Sequence, residues 1–199
     1  MVRLGHKEED RRTARDAGVL LLRLTAGGLM AGHGAQKLFG WFGGYGLEGT
    51  SGWLESMGMK PGRPWAIAAG GSEFGGGLLT ALGLMHPLGP ISMLGSMAVA
   101  ARKVHWGKPI WVTEGGAELP VLNIAVGVAL SMVDPGRFSA DRAVGLRVPI
   151  SLSMIAFAAV VLGVLASEAT PAPVFEEAAD EAGNELQGES EETLLEETM

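Results

Sequence analysis

The sequence predicts an all-α integral membrane protein: a four-helix transmembrane bundle plus a fifth C-terminal transmembrane helix. Three observations carry this. Apolar residues make up 47% of the chain against 19% charged, and the charges gather at the two ends. The apolar runs between them approach or reach the roughly 20 residues a helix needs to cross about 30 Å of hydrocarbon. Thirty-one glycines, unusual in a soluble helical domain, suit membrane helices whose backbones approach through small residues.

The ends come first. Arg3, Lys7, Arg11, Arg12 and Arg15 make residues 1–16 a basic tail. Residues 168–199 hold acids from Glu168 to Glu197 and no base, a composition that predicts a disordered tail. The net charge of −7 therefore describes the tail. The basic residues form no single stripe, which argues against nucleic acid as a partner. The chain has no cysteine, which excludes disulfides, thiolate metal sites and thiol redox chemistry of its own. No metal site is expected.

The first apolar run, residues 17–39, carries Arg23 inside it and no small-residue cleavage pattern after it, so it reads as a retained span rather than a signal peptide. A Gly-rich aromatic loop follows, with a short interfacial helix expected over residues 51–57. The second span is expected over 65–85, ended by His86-Pro87 and Gly89-Pro90, and the third over 90–104. After a loop bearing Trp106 and Trp111, the fourth runs over 118–133 and stops at Asp134-Pro135-Gly136. Residues 137–147 form a polar connection. The fifth span, 148–167, takes Pro149 in its first turn, where the missing N–H costs nothing.

Lysine and arginine near the helix ends favour a cytoplasmic N-terminus, so the chain is expected in the cell membrane, multi-pass, with the lipid bilayer as its first partner. Trp41, Trp53, Trp65, Trp106, Trp111 and Tyr45 then all fall at the outer face. Anchoring belts usually mark both interfaces. One-sided enrichment points to a folded cap.

Charges inside spans are costly and turn toward partners. Such residues are Arg23, His33, Gln36 and Lys37 in the first span, Glu73 in the second, Arg102, Lys103 and His105 ending the third, and Glu118 opening the fourth. Counting helical rise puts Glu73 ~12 Å below Trp65 and His33 ~9 Å below Phe39. Arg23, Met30, His33 and Lys37 then form a stripe, with Glu73 and Glu118 as counter-charges. Glu73 and His33 are the candidate proton carriers, since a desolvated carboxylate and an imidazole suit proton exchange. Arg23, Gln36, Lys37, Arg102, His105 and Glu118 are the candidate ligand-binding residues. A structural alternative is an ion-pair network that fixes helix register. Haem ligation by His33 and His105 has no supporting motif.

The run Leu20–Gly44, LLLRLTAGGLMAGHGAQKLFGWFGG, resembles the opening of the DoxX family of bacterial and archaeal membrane proteins. The likeness continues through Glu73 before its glycine run, GGAELPVL (Gly115–Leu122) and DPGRFSAD (Asp134–Asp141), so that residues 17–142 read as the family's domain. The resemblance implies a four-helix membrane bundle, with residues 148–167 and the acidic tail as additions. It also implies a link to redox systems, quinone- or sulfur-linked, since some relatives are associated with thiosulfate:quinone oxidoreductase. Without cysteine, any such chemistry needs a bound cofactor (a quinone is the candidate), a partner subunit or the substrate itself. Two functions follow as expectations: an oxidoreductase-associated membrane subunit that binds a small polar or anionic ligand at the outer-face cluster, or a non-catalytic scaffold that docks a protein partner. A transporter ranks below both, because no pair of repeat-related broken helices is present.

Overall fold

The computed structural model describes residues 2–169, with side chains from residue 8. The expected disorder of the acidic tail falls on residues 170–199, outside the described residues. Within the described residues the fold is helical throughout: α1 (Val2–Phe39), α2 (Gly46–Ser56), α3 (Gly62–Leu82), α4 (Leu88–Val99), α5 (Glu118–Met132), α6 (Ala140–Val144) and α7 (Ile150–Glu168). A π-helical turn, Ala100–Val104, extends α4. α1 is longer than the apolar run it contains, because the charged residues before Ala17 continue the same helix.

Close approach of glycine backbones sets the arrangement of α1 and α3. A Cβ at Gly27 would lie 2.6 Å from the Gly77 carbonyl oxygen and from Ala81 N, and one at Gly34 would overlap the backbone of Phe74. Gly27 and Gly34 are seven residues apart, as are Gly70 and Gly77, so two helical turns of each helix meet without side chains between them. The order of the contacts makes the pair antiparallel. α4 packs back on α3, where Gly76 faces Ser92 and Gly89 faces Thr80. α5 returns along α4, with Gly127 against Leu94.

α7 packs chiefly on α4 and runs parallel to it, Val160 beside Gly95 and Glu168 beside Arg102. Two small cores fill the interior. Met30, Met93 and Met97 form one with Ile124; Leu54, Met59 and Ala66 form the other, under α2. Methionine, unbranched and adaptable, fills the irregular gaps between glycine-faced helices.

Among the described residues one helix, α7, is by itself long and apolar enough to cross a membrane, and α5 is apolar but shorter. α1 carries Arg23 and Lys37, and α3 is glycine-rich with Glu73 at mid-length, which lowers the hydropathy of both.

Candidate functional site

Two ends of the fold hold its buried polar groups. At the end formed by α2, the α4–α5 loop and the tops of α1 and α3, Lys37 Nζ contacts both carboxylate oxygens of Glu73, at 2.5 Å from Oε1. The Glu73 side chain is 1% exposed and that of Lys37 28%. Glycine at 70 makes this contact reachable: a Cβ there would sit 2.8 Å from Leu38 and 3.3 Å from the Lys37 Cβ. Thr50, on α2, donates to the Lys37 carbonyl at 3.2 Å and fastens the cap to this point.

The pair stands in the partition between two hollows. One, about 450 Å³, is lined by His33, Gln36, Lys37, Tyr45, Thr50 and Trp53. The other, about 430 Å³, lies between α2, α3, α4 and α7, with Glu73 and Lys37 in one wall and mostly apolar residues elsewhere. Lys37, Thr50 and Trp53 belong to both.

His33 lies on an exposed part of α1, and its Nδ1 is 3.2 Å from Gln36 Oε1. Gln36 Nε2 donates to the Phe42 carbonyl at 3.4 Å. The structure therefore brings together Lys37 and Glu73, with His33 and Gln36 on the polar side of the partition.

Four other residues expected in this group stand elsewhere. Arg23, 2% exposed, is at the opposite end of α1, where Nη1 donates to the Pro135 carbonyl at 2.6 Å and Nη2 to that of Phe138 at 3.0 Å. A separation of fourteen positions keeps Arg23 and Lys37 near one face of the helix but far apart along it. Arg102 points outward, with Nε 3.5 Å from Glu168 and the guanidinium 4.5 Å over the Trp106 ring. His105 Nδ1 lies 2.6 Å from the Gly115 carbonyl oxygen, and Glu118 accepts from Val112 N at 2.9 Å. Both hold the α4–α5 loop closed, because near a helix end the closest polar partners are loop backbone groups. Of the expected stripe and its counter-charges Glu73 and Glu118, one ion pair forms, Lys37 with Glu73. Lys103, absent from the expected ligand set, lines the apolar cavity instead.

The other end is a polar knot. Asp141 accepts from the backbone N–H of Met85 and of His86, each at 2.8 Å, and pins the α3–α4 turn at Met85, whose φ is +52°. Asp16 accepts from Arg137 N at 3.3 Å and from the Arg15 guanidinium at 2.8 Å. The Arg15 contact holds the Asp16 carboxyl below its ordinary pKa. Burial holds the His86 imidazole below its ordinary value, opposed by the nearby carboxylates Asp141 and Asp134. Neither Asp16 nor Asp141 was singled out from the sequence. The visible signal is the run DPGRFSAD, where Ser139 caps α6 by accepting from Arg142 N.

Comparison with known proteins places these features. No curated protein and no solved structure matches the chain. The DoxX family model matches residues 18–106, from the start of the apolar part of α1 to just past the π-helical turn. It takes in the glycine contacts of α1 and α3 and the Lys37–Glu73 pair, and it ends before α5, α6 and α7. Residues 18–106 are thus a DoxX domain, the mark of a membrane-protein family.

Proposed function

We propose that this protein is a membrane subunit of a redox system, quinone- or sulfur-linked, that binds a small polar or anionic ligand beside Lys37 and Glu73. The redox part rests on the family resemblance. The observation that carries the binding part is a half-buried lysine, paired on its inner side with the buried Glu73 carboxylate, in the wall of a hollow that also bears an imidazole and an amide.

In the free protein Glu73 satisfies the Lys37 ammonium. An anion that takes its place must leave Glu73 neutral or unpaired, and an unpaired buried carboxylate is costly. Anion binding is then linked to proton uptake by Glu73. His33, at the edge of the hollow, carries the proton to and from water. Gln36, beside it, is the neutral hydrogen-bonding group for the ligand's polar atoms.

The membrane arrangement belongs to the same proposal. Residues 17–39 of α1, then α3, α4 with its π-helical turn, and α5 form four spans, and α7 is the fifth. Antiparallel packing supports this, as do the aromatic cap at one end and the basic residues at the other. The N-terminus is cytoplasmic and the cap lies outside.

Fluorescence of Trp53 tests the site in the full-length protein, with thiosulfate and a short-chain water-soluble quinone as probes. Binding should quench it, more tightly at lower pH. Lys37→Met should abolish thiosulfate binding, and Glu73→Gln should remove its pH dependence. Unchanged binding in both variants contradicts the site.

A second reading, a non-catalytic scaffold, is favoured by the exposed aromatics Trp41, Phe42, Tyr45, Trp106 and Trp111 on the cap. A stoichiometric partner that is lost when residues 168–199 are deleted supports it. Purification as a lone monomer counts against it.

A further inference from the structure

The larger apolar cavity has a chemistry of its own. Its serines are already satisfied within their helices: Ser72 donates to Ala69 O at 2.9 Å, Ser92 to Gly89 O at 2.8 Å and Ser96 to Met93 O at 3.1 Å. What they turn to the cavity asks for no water. The rest of the lining is methionine, leucine, valine, indole, alanine and glycine, apart from Lys103, the Lys37–Glu73 pair in one wall and Thr50, whose hydroxyl is spent on the Lys37 carbonyl.

The cavity exists because α7 packs on α4 and stands off from α2 and α3. Small residues keep it open: Ala156, Ala159 and Gly163 line it from α7, and a Cβ at Gly163 would meet nothing within 4 Å.

Its dimensions match one leaflet. From Ser92 to Lys103, both lining residues, the helix rises ~16 Å, about half the hydrocarbon thickness of a bilayer. A volume of about 430 Å³ over that length is room for an extended hydrocarbon chain. Trp65 and Trp53 stand at the capped end, where indoles meet lipid headgroups.

Charge decides the head. Arg102 is engaged by Glu168 and Trp106, and Lys37 by Glu73. Lys103, half-buried, has no ion-pair or hydrogen-bond partner among the described residues. A lone lysine at the headgroup end of an apolar slot selects an anion attached to a chain.

We propose that this cavity is a lipid site: it takes one acyl chain of an anionic phospholipid of the bilayer between α7 and α3, with the phosphate on Lys103. The site lies across the partition from the hollow of His33 and Gln36 and needs no function of Glu73.

The test uses the full-length protein reconstituted in phosphatidylcholine vesicles containing a minor fraction of phosphatidylglycerol. Native mass spectrometry then reads the lipid retained. Phosphatidylglycerol should be retained over phosphatidylcholine, and Lys103→Gln should lower that retention about fivefold, the effect of one interfacial cation. Gly163→Leu fills the open space and should remove it, and Ala159→Leu is the second filling variant should the first fail to fold.

Equal retention of the two lipids, or no change in Lys103→Gln, overturns the proposal. Retention that survives both filling variants overturns it as well, since the lipid is then on the surface. Retention lost in Glu73→Gln but kept in Lys103→Gln overturns it and assigns the cavity to the ligand of the preceding section.

Discussion

Lys37 reaches from α1 to Glu73 on α3, and the carboxylate is the more deeply buried partner, 1% exposed against 28%. Removing either group alone strands the other. Lys37→Met should destabilise by about 3 kcal/mol, the low end for a buried pair because the lysine keeps some contact with its surroundings. Replacing both, Lys37→Met with Glu73→Leu, should restore most of that loss while ligand binding stays absent. Thermal melting in detergent reads the stability. A double variant no more stable than the single one would mean that the pair is not isolated from other polar partners.

Gly27 and Gly28 are neighbours with opposite surroundings. A methyl at 27 meets the backbone of Gly77 and Ala81, whereas one at 28 meets nothing within 4 Å. Gly27→Ala should cost about 1–3 kcal/mol through forced separation of α1 and α3. Gly28→Ala should be neutral or slightly stabilising, as alanine is the better helix former. Equal melting temperatures for the two variants would contradict the glycine-to-glycine packing.

His86 gives the stability a pH dependence with a defined sign. Its folded-state pKa is lowered from 6.5 by burial, so below that value the unfolded chain binds a proton that the folded chain resists. Stability should be level above about pH 7 and fall as the pH drops through 6.5, by at most about 1.4 kcal/mol per unit. His86→Gln should flatten that limb. Asp16 acts in a separate window: its pKa is lowered from 3.8, so its contribution is present above that value and lost below it.

Arg23 and Asp141 tie the opposite end of the fold through backbone groups. Arg23→Met leaves the carbonyls of Pro135 and Phe138 without their donors, and Asp141→Ala leaves the N–H groups of Met85 and His86 without their acceptor. Each loss should cost about 2–4 kcal/mol. Limited proteolysis should then cut within residues 133–149 faster than in the wild type. Ligand binding at Lys37 should persist in whatever fraction stays folded, because the two ends do not share side chains.

Much of this was legible in residue spacing. Proline and glycine punctuation placed the ends of most apolar helices within a few residues, and counting helical rise set His33 at the depth of Glu73, whereas the partner Glu73 takes is Lys37, one turn further along α1. The partners of Arg23 were not legible. They are main-chain carbonyls more than a hundred residues away, and a carbonyl leaves no mark in a sequence. Arg102, His105 and Glu118 were legible as polar residues at helix ends, but nothing in their spacing distinguishes a ligand group from one that closes its own loop. The cavity beside α7 was hidden for another reason: it depends on which neighbour α7 fails to touch. Lys103 mattered only once that gap was seen.

The two proposed sites meet at the Lys37–Glu73 pair, the hollow of His33 and Gln36 being the one proposed to open to water and the cavity beside α7 the one proposed to open to lipid. Because the chain has no cysteine, single-cysteine variants read each side cleanly. Gln36→Cys samples the first hollow and Gly163→Cys the second, both in sealed vesicles with the cap outward. A membrane-impermeant maleimide should label Gln36→Cys and leave Gly163→Cys unlabelled. Comparable labelling of both, or labelling of Gly163→Cys alone, would contradict the account.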